Sequence, residues 1–182
     1  MPKMILGFTG LIASGKDVSK KYLEEKYGAS SHRFSTMLRD ILNRLYLPVS
    51  RENLQTLSQT LRGSFGQDTL ARVIAEDVKN DTHDLVIVEG IRRQADIIEL
   101  KNLPNFRLVA IDAEVETRYH RVVARNENVG DAEKTYEQFL AEGQREAEAE
   151  IPAVMAQASL RLDNNGTFAD LYKQLDELIA KL

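Results

Sequence analysis

The stretch "GFTGLIASGKD", residues 7–17, decides the fold. It contains Gly10, four further residues and then Gly15 and Lys16, which is the spacing of a phosphate-binding loop. A short apolar run typical of a buried strand, "MILGFT" (4–9), precedes the loop, and a pattern typical of an amphipathic helix follows it. The spacing is specific in this strand–loop–helix context. The stretch therefore predicts a loop that binds the phosphates of a nucleotide.

The chemistry of such a loop comes mainly from its backbone. Glycines let the chain curl so that successive N–H groups point at the phosphate oxygens. The helix that follows adds its unsatisfied N–H groups and the positive end of its dipole. Lys16 can reach the β- and γ-phosphates as a point charge. The predicted ATP-binding residues are Gly10, Ala13, Ser14, Gly15, Lys16, Asp17 and Val18.

Asp17 departs from the motif, because a serine or threonine hydroxyl is usual at this position. A carboxylate is also a hard oxygen ligand for Mg²⁺, but it adds negative charge beside a polyanion. That charge is tolerable only if the metal or nearby arginines offset it; the alternative is that Asp17 merely caps the helix. Glu89 ends the buried run "DLVIVEG" (84–90), where ligands bind in parallel sheets. Asp17 and Glu89 are the predicted metal ligands, and ATP and Mg²⁺ the predicted cofactors.

The rest of the chain alternates strand and helix patterns, which predicts a parallel sheet with helices on both faces. Five strands are expected at 4–9, 31–35, 84–90, 106–112 and 158–163. Helices are expected at 15–27, at 36–46, from Ser50, from Asp68 to Val78, at 94–102, at 114–126, at 132–150 and after a capping box of Thr167 and Asp170. The whole chain, 1–182, is expected to be one domain with helical insertions after the second and fourth strands.

Composition restricts the classes of function. The 182 residues include no cysteine, so disulfides and thiolate catalysis are excluded. The net charge of −4 argues against extended nucleic-acid binding but not against a local anion pocket. No apolar run approaches the ~20 residues that span a bilayer. We expect a cytoplasmic protein without a membrane partner, as a monomer or a homodimer.

Arginines distinguish a kinase from a simple ATPase, since a kinase also needs a pocket for its acceptor. Arg39 follows the second predicted strand, Arg62 lies in the first helical insertion, and Arg92 and Arg93 follow Glu89. All four are predicted to bind the acceptor. A second group of arginines, spaced three and four apart on one helix face, leads into the polar segment "NENVGD", which could be a mobile lid; these are Arg118, Arg121 and Arg125.

These segments resemble the nucleoside monophosphate kinase group of P-loop kinases. "STMLRD" is similar to the S-T-G-D-x-L-R segment of adenylate kinases, and "VEGIRRQAD" to D-G-F-P-R-x-x-x-Q-A. The missing proline leaves either Arg92 or Arg93 as the equivalent of the family arginine. "RYHRVVARNENVGD" resembles the entry to a short lid.

The resemblance implies a three-layer P-loop kinase fold of α/β class. It also implies an acceptor-binding insertion at about 36–66, a lid at about 121–136, and a catalytic role for Arg121 and Arg125 beside Lys16.

A nearer resemblance is to archaeal adenylate-kinase-related proteins, phage deoxynucleoside monophosphate kinases and dephospho-CoA kinases. Phage enzymes share the G-K-D ending of the loop. The predicted function is transfer of the γ-phosphoryl of ATP to a nucleoside or deoxynucleoside monophosphate. Dephospho-CoA kinase is the alternative. If the acceptor is a hydroxyl, a general base is needed, for which Asp40 and Asp17 are the candidates. A nucleotide-controlled switch without a small acceptor is the alternative from another class.

Overall fold

A computed structural model describes residues 2–125, 131–143 and 149–181. The five strands are β1 (Met4–Thr9), β2 (Ser30–Arg33), β3 (Leu85–Glu89), β4 (Phe106–Asp112) and β5 (Leu160–Asp163). The α-helices are α1 (Lys16–Tyr27), α2 (Phe34–Arg44), α3 (Arg51–Phe65), α4 (Thr69–Asn80), α5 (Val115–Arg125), α6 (Tyr136–Gly143), α7 (Ile151–Met155) and α8 (Phe168–Lys181). Two short 3-10 helices between β3 and β4 cover Gln94–Ile97 and Leu100–Asn102.

The sheet is parallel throughout, with the strand order β2-β3-β1-β4-β5. β1 lies at its centre; the chain passes from β1 to β2 at one edge, returns through β3, and then crosses to β4 and β5 on the other side. In sheets of this kind ligands bind in the crevice beyond the carboxyl ends of the strands. The phosphate loop follows the carboxyl end of β1 and therefore occupies this position.

Helices cover both faces of the sheet because the apolar residues of the central strand alternate between two cores. Leu6 packs in a core with Leu23 of α1 and Leu171 of α8. Its neighbour Ile5 packs in the opposite core with Leu70 of α4. Helices α2 and α3 contribute to that second core as well. The prediction of a three-layer α/β fold with a five-stranded parallel sheet is confirmed.

Several predicted helix ends are present as hydrogen bonds. The Ser50 hydroxyl accepts from the Asn53 N–H at 3.1 Å at the start of α3. Thr167 and Asp170 form the expected capping box before α8, since the Thr167 N–H donates to Asp170 at 2.9 Å and the Asp170 N–H to the Thr167 hydroxyl at 3.3 Å. Gly28 ends α1 with φ 64°, a left-handed conformation that glycine adopts at little cost.

Other predictions were wrong in detail. The segment 94–102 forms two 3-10 helices instead of one helix. The helix expected at 132–150 begins only at Tyr136, and α7 (Ile151–Met155) was not predicted. Asp68 precedes α4 without a side-chain cap among the described residues, because its carboxylate pairs with Arg72 at 3.5 Å.

The predicted lid, 121–136, includes residues 126–130, which lie outside the described part of the chain. The helical insertions after β2 and β4 are present as α2–α4 and α5–α7. No helix among the described residues is both long enough and apolar enough to cross a membrane.

Candidate functional site

The loop between β1 and α1 has the backbone conformation that a phosphate cradle requires. φ is positive at Gly10 (154°), Ala13 (59°) and Gly15 (109°). A Cβ at Gly10 would lie 2.3 Å from the carbonyl oxygen of Ile111, and a Cβ at Gly15 would lie 2.1 Å from Nδ2 of Asn164. Both contacts are far shorter than van der Waals distance, so only glycine fits either position.

Asn164, in the turn after β5, supports the loop from the interior. Its side-chain Nδ2 donates to the carbonyl oxygen of Ser14 at 2.8 Å, and its backbone N–H donates to the carbonyl of Asp112 at 2.8 Å. The residue is 2% exposed. Asn164 was not among the residues selected from the sequence. The hydroxyl of Ser14 is buried and has no hydrogen-bond partner within the described chain.

Lys16 folds back over the loop that it follows. Its Nζ donates to the carbonyl oxygens of Gly10 at 2.6 Å and Leu11 at 2.9 Å. The N-cap residue of α1 is Gly15, which has no side chain that could accept from the first N–H groups of the helix. A lysine over an open helix N-terminus forms a site of positive potential, which fits a polyphosphate.

The two predicted metal residues, Asp17 and Glu89, share one cation in the structure. Nη2 of Arg33 donates to Oδ1 of Asp17 at 3.1 Å and to Oε2 of Glu89 at 2.9 Å. Lys20 approaches the other oxygen of Glu89 at 3.2 Å. The structure therefore brings the two carboxylates together, and it adds Arg33 and Lys20, which sequence reasoning had not selected.

The chemistry of this pair fits Mg²⁺. Asp17 and Glu89 offer hard oxygen ligands. Within the described residues no cluster of three His, Asp or Glu side chains could hold a metal alone. Mg²⁺ in proteins usually takes one or two carboxylates and completes its octahedron with water and substrate phosphates. Two carboxylates beside a phosphate loop match that demand, and the role of Asp17 and Glu89 as metal ligands remains a prediction.

Three of the predicted acceptor arginines meet at one buried carboxylate. Nη2 of Arg62 donates to Oδ1 of Asp96 at 2.6 Å, and the backbone N–H groups of Arg92 and Arg93 both donate to Oδ2 at 3.0 Å. Arg62 also donates to the carbonyl of Gln67. Asp96 and Arg62 are 2% and 6% exposed, so this ion pair is buried. It fixes the backbone of the loop that carries Arg92 and Arg93.

Arg39 differs from these three. It lies on the exposed side of α2 and makes no hydrogen bond or ion pair with the described residues. A direct contact between Arg62 and an acceptor would require its pair with Asp96 to break, whereas Arg39 can meet a ligand without losing a partner. The acceptor roles of all four arginines remain predictions.

The arginines of α5 lie on the other side of the phosphate loop. Nη2 of Arg121 donates to the carbonyl oxygen of Asn164 at 2.8 Å. Its Nη1 is buried without a partner among the described residues, and burial lowers the pKa of this guanidinium from its usual value. Nε of Arg118 donates to the carbonyl of Ala113 at 3.0 Å, and Arg125 is exposed at the end of α5. Arg121 is thus connected to the loop through Asn164. The catalytic roles of Arg121 and Arg125 remain predictions.

A cleft of about 380 Å³ lies beside the ends of β4 and β5. Its lining includes three carboxylates, those of Asp112, Glu114 and Asp163. One cation, Arg161, also lines the cleft, but the three carboxylates outnumber it, so the cleft is less suited to phosphate than the backbone cradle of the loop.

Comparisons with known proteins agree with this fold. No family model matches the chain. A UPF0200 protein from Methanoregula boonei is 30% identical over 178 residues, which cover 96% of this chain and 95% of the relative. A UPF0200 protein from Pyrococcus abyssi is 29% identical, over 98% of this chain and 97% of the relative.

Similar solved structures include three at low sequence identity. Shikimate kinase from Bacteroides thetaiotaomicron has a TM-score of 0.63 at 17% identity and covers 97% of this chain and 98% of its own. TT1252 from Thermus thermophilus gives 0.60 at 21% identity, covering 100% and 99%. A gluconokinase from Sinorhizobium meliloti gives 0.59 at 10% identity, covering 98% and 93%. These likenesses show the P-loop kinase fold and leave the narrower nucleoside monophosphate kinase group as a resemblance. The identity and coverage of the first relative show that the chain belongs to the UPF0200 protein family.

Proposed function

We propose that this protein is an ATP-dependent phosphotransferase whose acceptor is a nucleoside or deoxynucleoside monophosphate. The observation that carries the proposal is the placement of Lys16 over a glycine cradle at an open helix N-terminus. The Asp17–Glu89 pair beside the cradle supports a role for Mg²⁺. The kinase fold of the solved neighbours supports phosphoryl transfer as the reaction class.

The residues of the chain would act by position and charge. An oxygen of the acceptor phosphate attacks the γ-phosphorus, and the bond to the β–γ bridging oxygen breaks, so ADP leaves with the electron pair. Lys16 would exchange its contacts with the Gly10 and Leu11 carbonyls for β- and γ-phosphate oxygens. Mg²⁺, when bound, neutralises charge on those oxygens, and Asp17 and Glu89 would hold it. Arg121 and Arg125 would stabilise the charge that spreads over the transferring group.

A phosphate acceptor is favoured because it needs no general base. Its oxygen is already ionised, whereas a hydroxyl must lose a proton. Of the two carboxylates considered as bases, Asp17 is held by Arg33 and Asp40 is exposed on α2. Arg92 and Arg93 on the loop after β3, together with Arg39 on α2, supply the positive charge that a phosphate acceptor needs.

A hydroxyl acceptor is the second candidate. Two of the solved neighbours are a shikimate kinase and a gluconokinase, and shikimate and gluconate carry hydroxyl groups. Dephospho-CoA belongs to the same class. A hydroxyl acceptor would give a rate that rises with pH as a base deprotonates, and a monophosphate acceptor would give a flatter profile above the second phosphate pKa.

An acceptor screen tests the proposal. ADP release from ATP and Mg²⁺ would be followed with each ribo- and deoxyribonucleoside monophosphate, dephospho-CoA, shikimate, gluconate, and no acceptor. We expect acceptor-dependent turnover with at least one monophosphate. Turnover only with a hydroxyl compound would select the second candidate. ATP binding without acceptor-dependent turnover would support the nucleotide-controlled switch.

A further inference from the structure

The position of Arg33 is determined by the pairing of strands β2 and β3, and Arg33 does not belong to the phosphate loop. It is the last residue of β2 and lies opposite Glu89, the last residue of β3. From this position its Nη2 reaches Glu89 at 2.9 Å and Asp17 of α1 at 3.1 Å. Three elements, α1, β2 and β3, therefore converge on one guanidinium nitrogen.

Glu89 needs positive partners because it is 5% exposed, and a buried carboxylate is costly unless it is paired. Arg33 contacts its Oε2, and Lys20 lies 3.2 Å from its Oε1. The two cations differ in exposure: the Arg33 side chain is 43% exposed and that of Lys20 is 22% exposed. Arg33 can therefore leave the carboxylates by rotating toward solvent, while Lys20 stays beside Glu89.

We propose that Arg33 is the resident counter-ion of the Asp17–Glu89 pair and that a divalent cation takes its place there. This inference rests on the proposed function for its biological meaning. It makes Arg33 a positioning residue that holds the two carboxylates together without metal and sets how strongly metal binds. It also accounts for Asp17, whose extra negative charge beside the phosphate loop is offset by Arg33.

The two cations compete because they need the same oxygens. Mg²⁺ binds carboxylate oxygen at about 2.0–2.1 Å, so a metal on these oxygens would lie within contact distance of the guanidinium. Like charges at such a distance repel, and the half-exposed arginine is the partner that can move. The exchange changes no covalent bond.

The test is a Mn²⁺ titration of nucleotide-free protein, with free Mn²⁺ followed by its electron paramagnetic resonance signal. The variant Arg33→Met keeps a long apolar side chain and removes the competing charge. We expect its Mn²⁺ Kd to fall about tenfold relative to wild type, the equivalent of one to two partly exposed ion pairs. Arg44→Met, an exposed position on α2, is the control for net charge and should bind Mn²⁺ as wild type does.

Two further variants separate charge from shape. Arg33→Lys retains the charge and should keep the Kd near that of wild type. Arg33→Met combined with Asp17→Asn removes a ligand oxygen and should lose the gain. Without metal Arg33→Met should melt below wild type, and saturating Mn²⁺ should raise its melting temperature more. A Kd for Arg33→Met equal to or weaker than that of wild type overturns the inference.

The titration needs neither nucleotide nor turnover, so its result is distinct from that of the acceptor screen. Tighter Mn²⁺ binding in Arg33→Met together with no acceptor-dependent turnover would keep the counter-ion role and overturn the kinase proposal. Acceptor-dependent turnover together with unchanged Mn²⁺ binding would do the reverse.

Discussion

The two sides of the candidate site hold their cations in different ways. On the donor side, Lys16 and Arg121 donate to backbone carbonyls of the phosphate loop and of the turn that supports it. On the acceptor side, Arg62 pairs with the carboxylate of Asp96 in the interior. A carbonyl is neutral, so a phosphate oxygen can replace it without leaving an unpaired charge behind. Asp96 carries a formal charge, so Arg62 cannot leave it at low cost. From this difference we expect Lys16 and Arg121 to be available to a ligand and Arg62 to contribute mainly to the stability of the fold.

The largest effect that we expect is on stability, at Arg62. Arg62→Ala would leave the carboxylate of Asp96 buried without its charged partner. Loss of one partner of a buried ion pair lowers the free energy of unfolding by about 3–5 kcal/mol. Arg72→Ala is the matched control, because Arg72 pairs with Asp68 at the surface of the neighbouring helix. The control should lose less than about 1 kcal/mol. Urea unfolding of the three proteins measures both values.

The same urea experiment can also contradict the proposed difference between Arg62 and the cations of the donor side. If Arg62→Ala unfolds within 1 kcal/mol of wild type by the same urea measurement, the pair with Asp96 contributes little, as is known for weak ion pairs. Arg62 would then be available to an acceptor after all, and the two sides would not differ.

The next largest effect is on catalysis, at Lys16. Lys16→Ala removes a positioned charge from the phosphate loop, and loss of one such donor costs about 10²–10³ in kcat. The fold should persist, since the carbonyls of Gly10 and Leu11 to which Lys16 donates can accept from water instead. Lys21→Ala, on the exposed face of the same helix, should leave kcat and melting temperature unchanged. Wild-type turnover by Lys16→Ala at an unchanged melting temperature would remove the phosphate-loop assignment.

Alanine variants of Arg125 and Arg39 should change different kinetic constants, kcat for Arg125 and the acceptor KM for Arg39. Arg125 lies at the entry to the predicted lid. Arg125→Ala should therefore lower kcat, with a loss of about 2–4 kcal/mol in transition-state stabilisation, and change ATP binding less.

Arg39 lies on the exposed side of α2, so Arg39→Ala should raise the acceptor KM about tenfold, since hydrogen bonds to charged groups contribute about 1.5 kcal/mol or more. Steady-state kinetics with the true acceptor and direct ATP binding check both. An Arg39→Ala protein that binds ATP poorly with an unchanged acceptor KM would place this arginine on the donor side.

Sequence patterns predicted the features that depend on neighbouring residues. The glycine loop, the Ser50 cap and the capping box at Thr167 each lie within a few residues of chain, so their spacing is visible in the sequence. Strands β1, β3 and β4 were visible as well, because buried parallel strands are mostly continuous apolar runs. The edge strands β2 and β5 are more polar and are recognised mainly from the alternation of strands and helices. The fold therefore followed from local patterns.

The features that sequence patterns did not predict depend on contacts between distant segments. Arg33 meets Glu89 only because β2 pairs with β3, a register that no local pattern encodes. Asn164 reaches Ser14 across 150 residues of chain. Arg62 is predicted to bind the acceptor, and an isolated arginine in an insertion gives no sign of its buried partner Asp96, 34 residues later. Local patterns thus predict where the candidate site lies, and contacts between distant segments decide which of its charged side chains are paired.

Asp81 is a charged, hydrogen-bonded residue outside the candidate site, so it serves as a control that should affect stability and not catalysis. It lies in the turn between α4 and β3, where its carboxylate accepts from the Ser30 hydroxyl at 2.6 Å and from the rings of His32 and His83 at 2.7 Å. Burial alone would raise the pKa of Asp81, but the hydrogen bonds from Ser30, from the His83 backbone and from both imidazoles outweigh it and hold the pKa well below its usual value.

The smallest effect that we expect is therefore that of Asp81→Asn. This variant should lose stability in a pH-dependent way and keep the kcat and KM of wild type. A carboxyl with a depressed folded-state pKa stabilises the protein above its unfolded pKa and loses that contribution as pH falls toward the folded value. Asp81→Asn should cost about 1–2 kcal/mol at pH 5 and above, as expected for hydrogen bonds to a charged group. The difference from wild type should shrink as pH falls below about 4, the ordinary pKa of aspartate. Thermal unfolding of both proteins from pH 5.5 to pH 3 measures this change below the ordinary titration range of histidine. A gap between the two proteins that stays constant over this range would mean that the charge of Asp81 contributes nothing. A changed kcat or KM would connect this turn to the site and remove it as a reference.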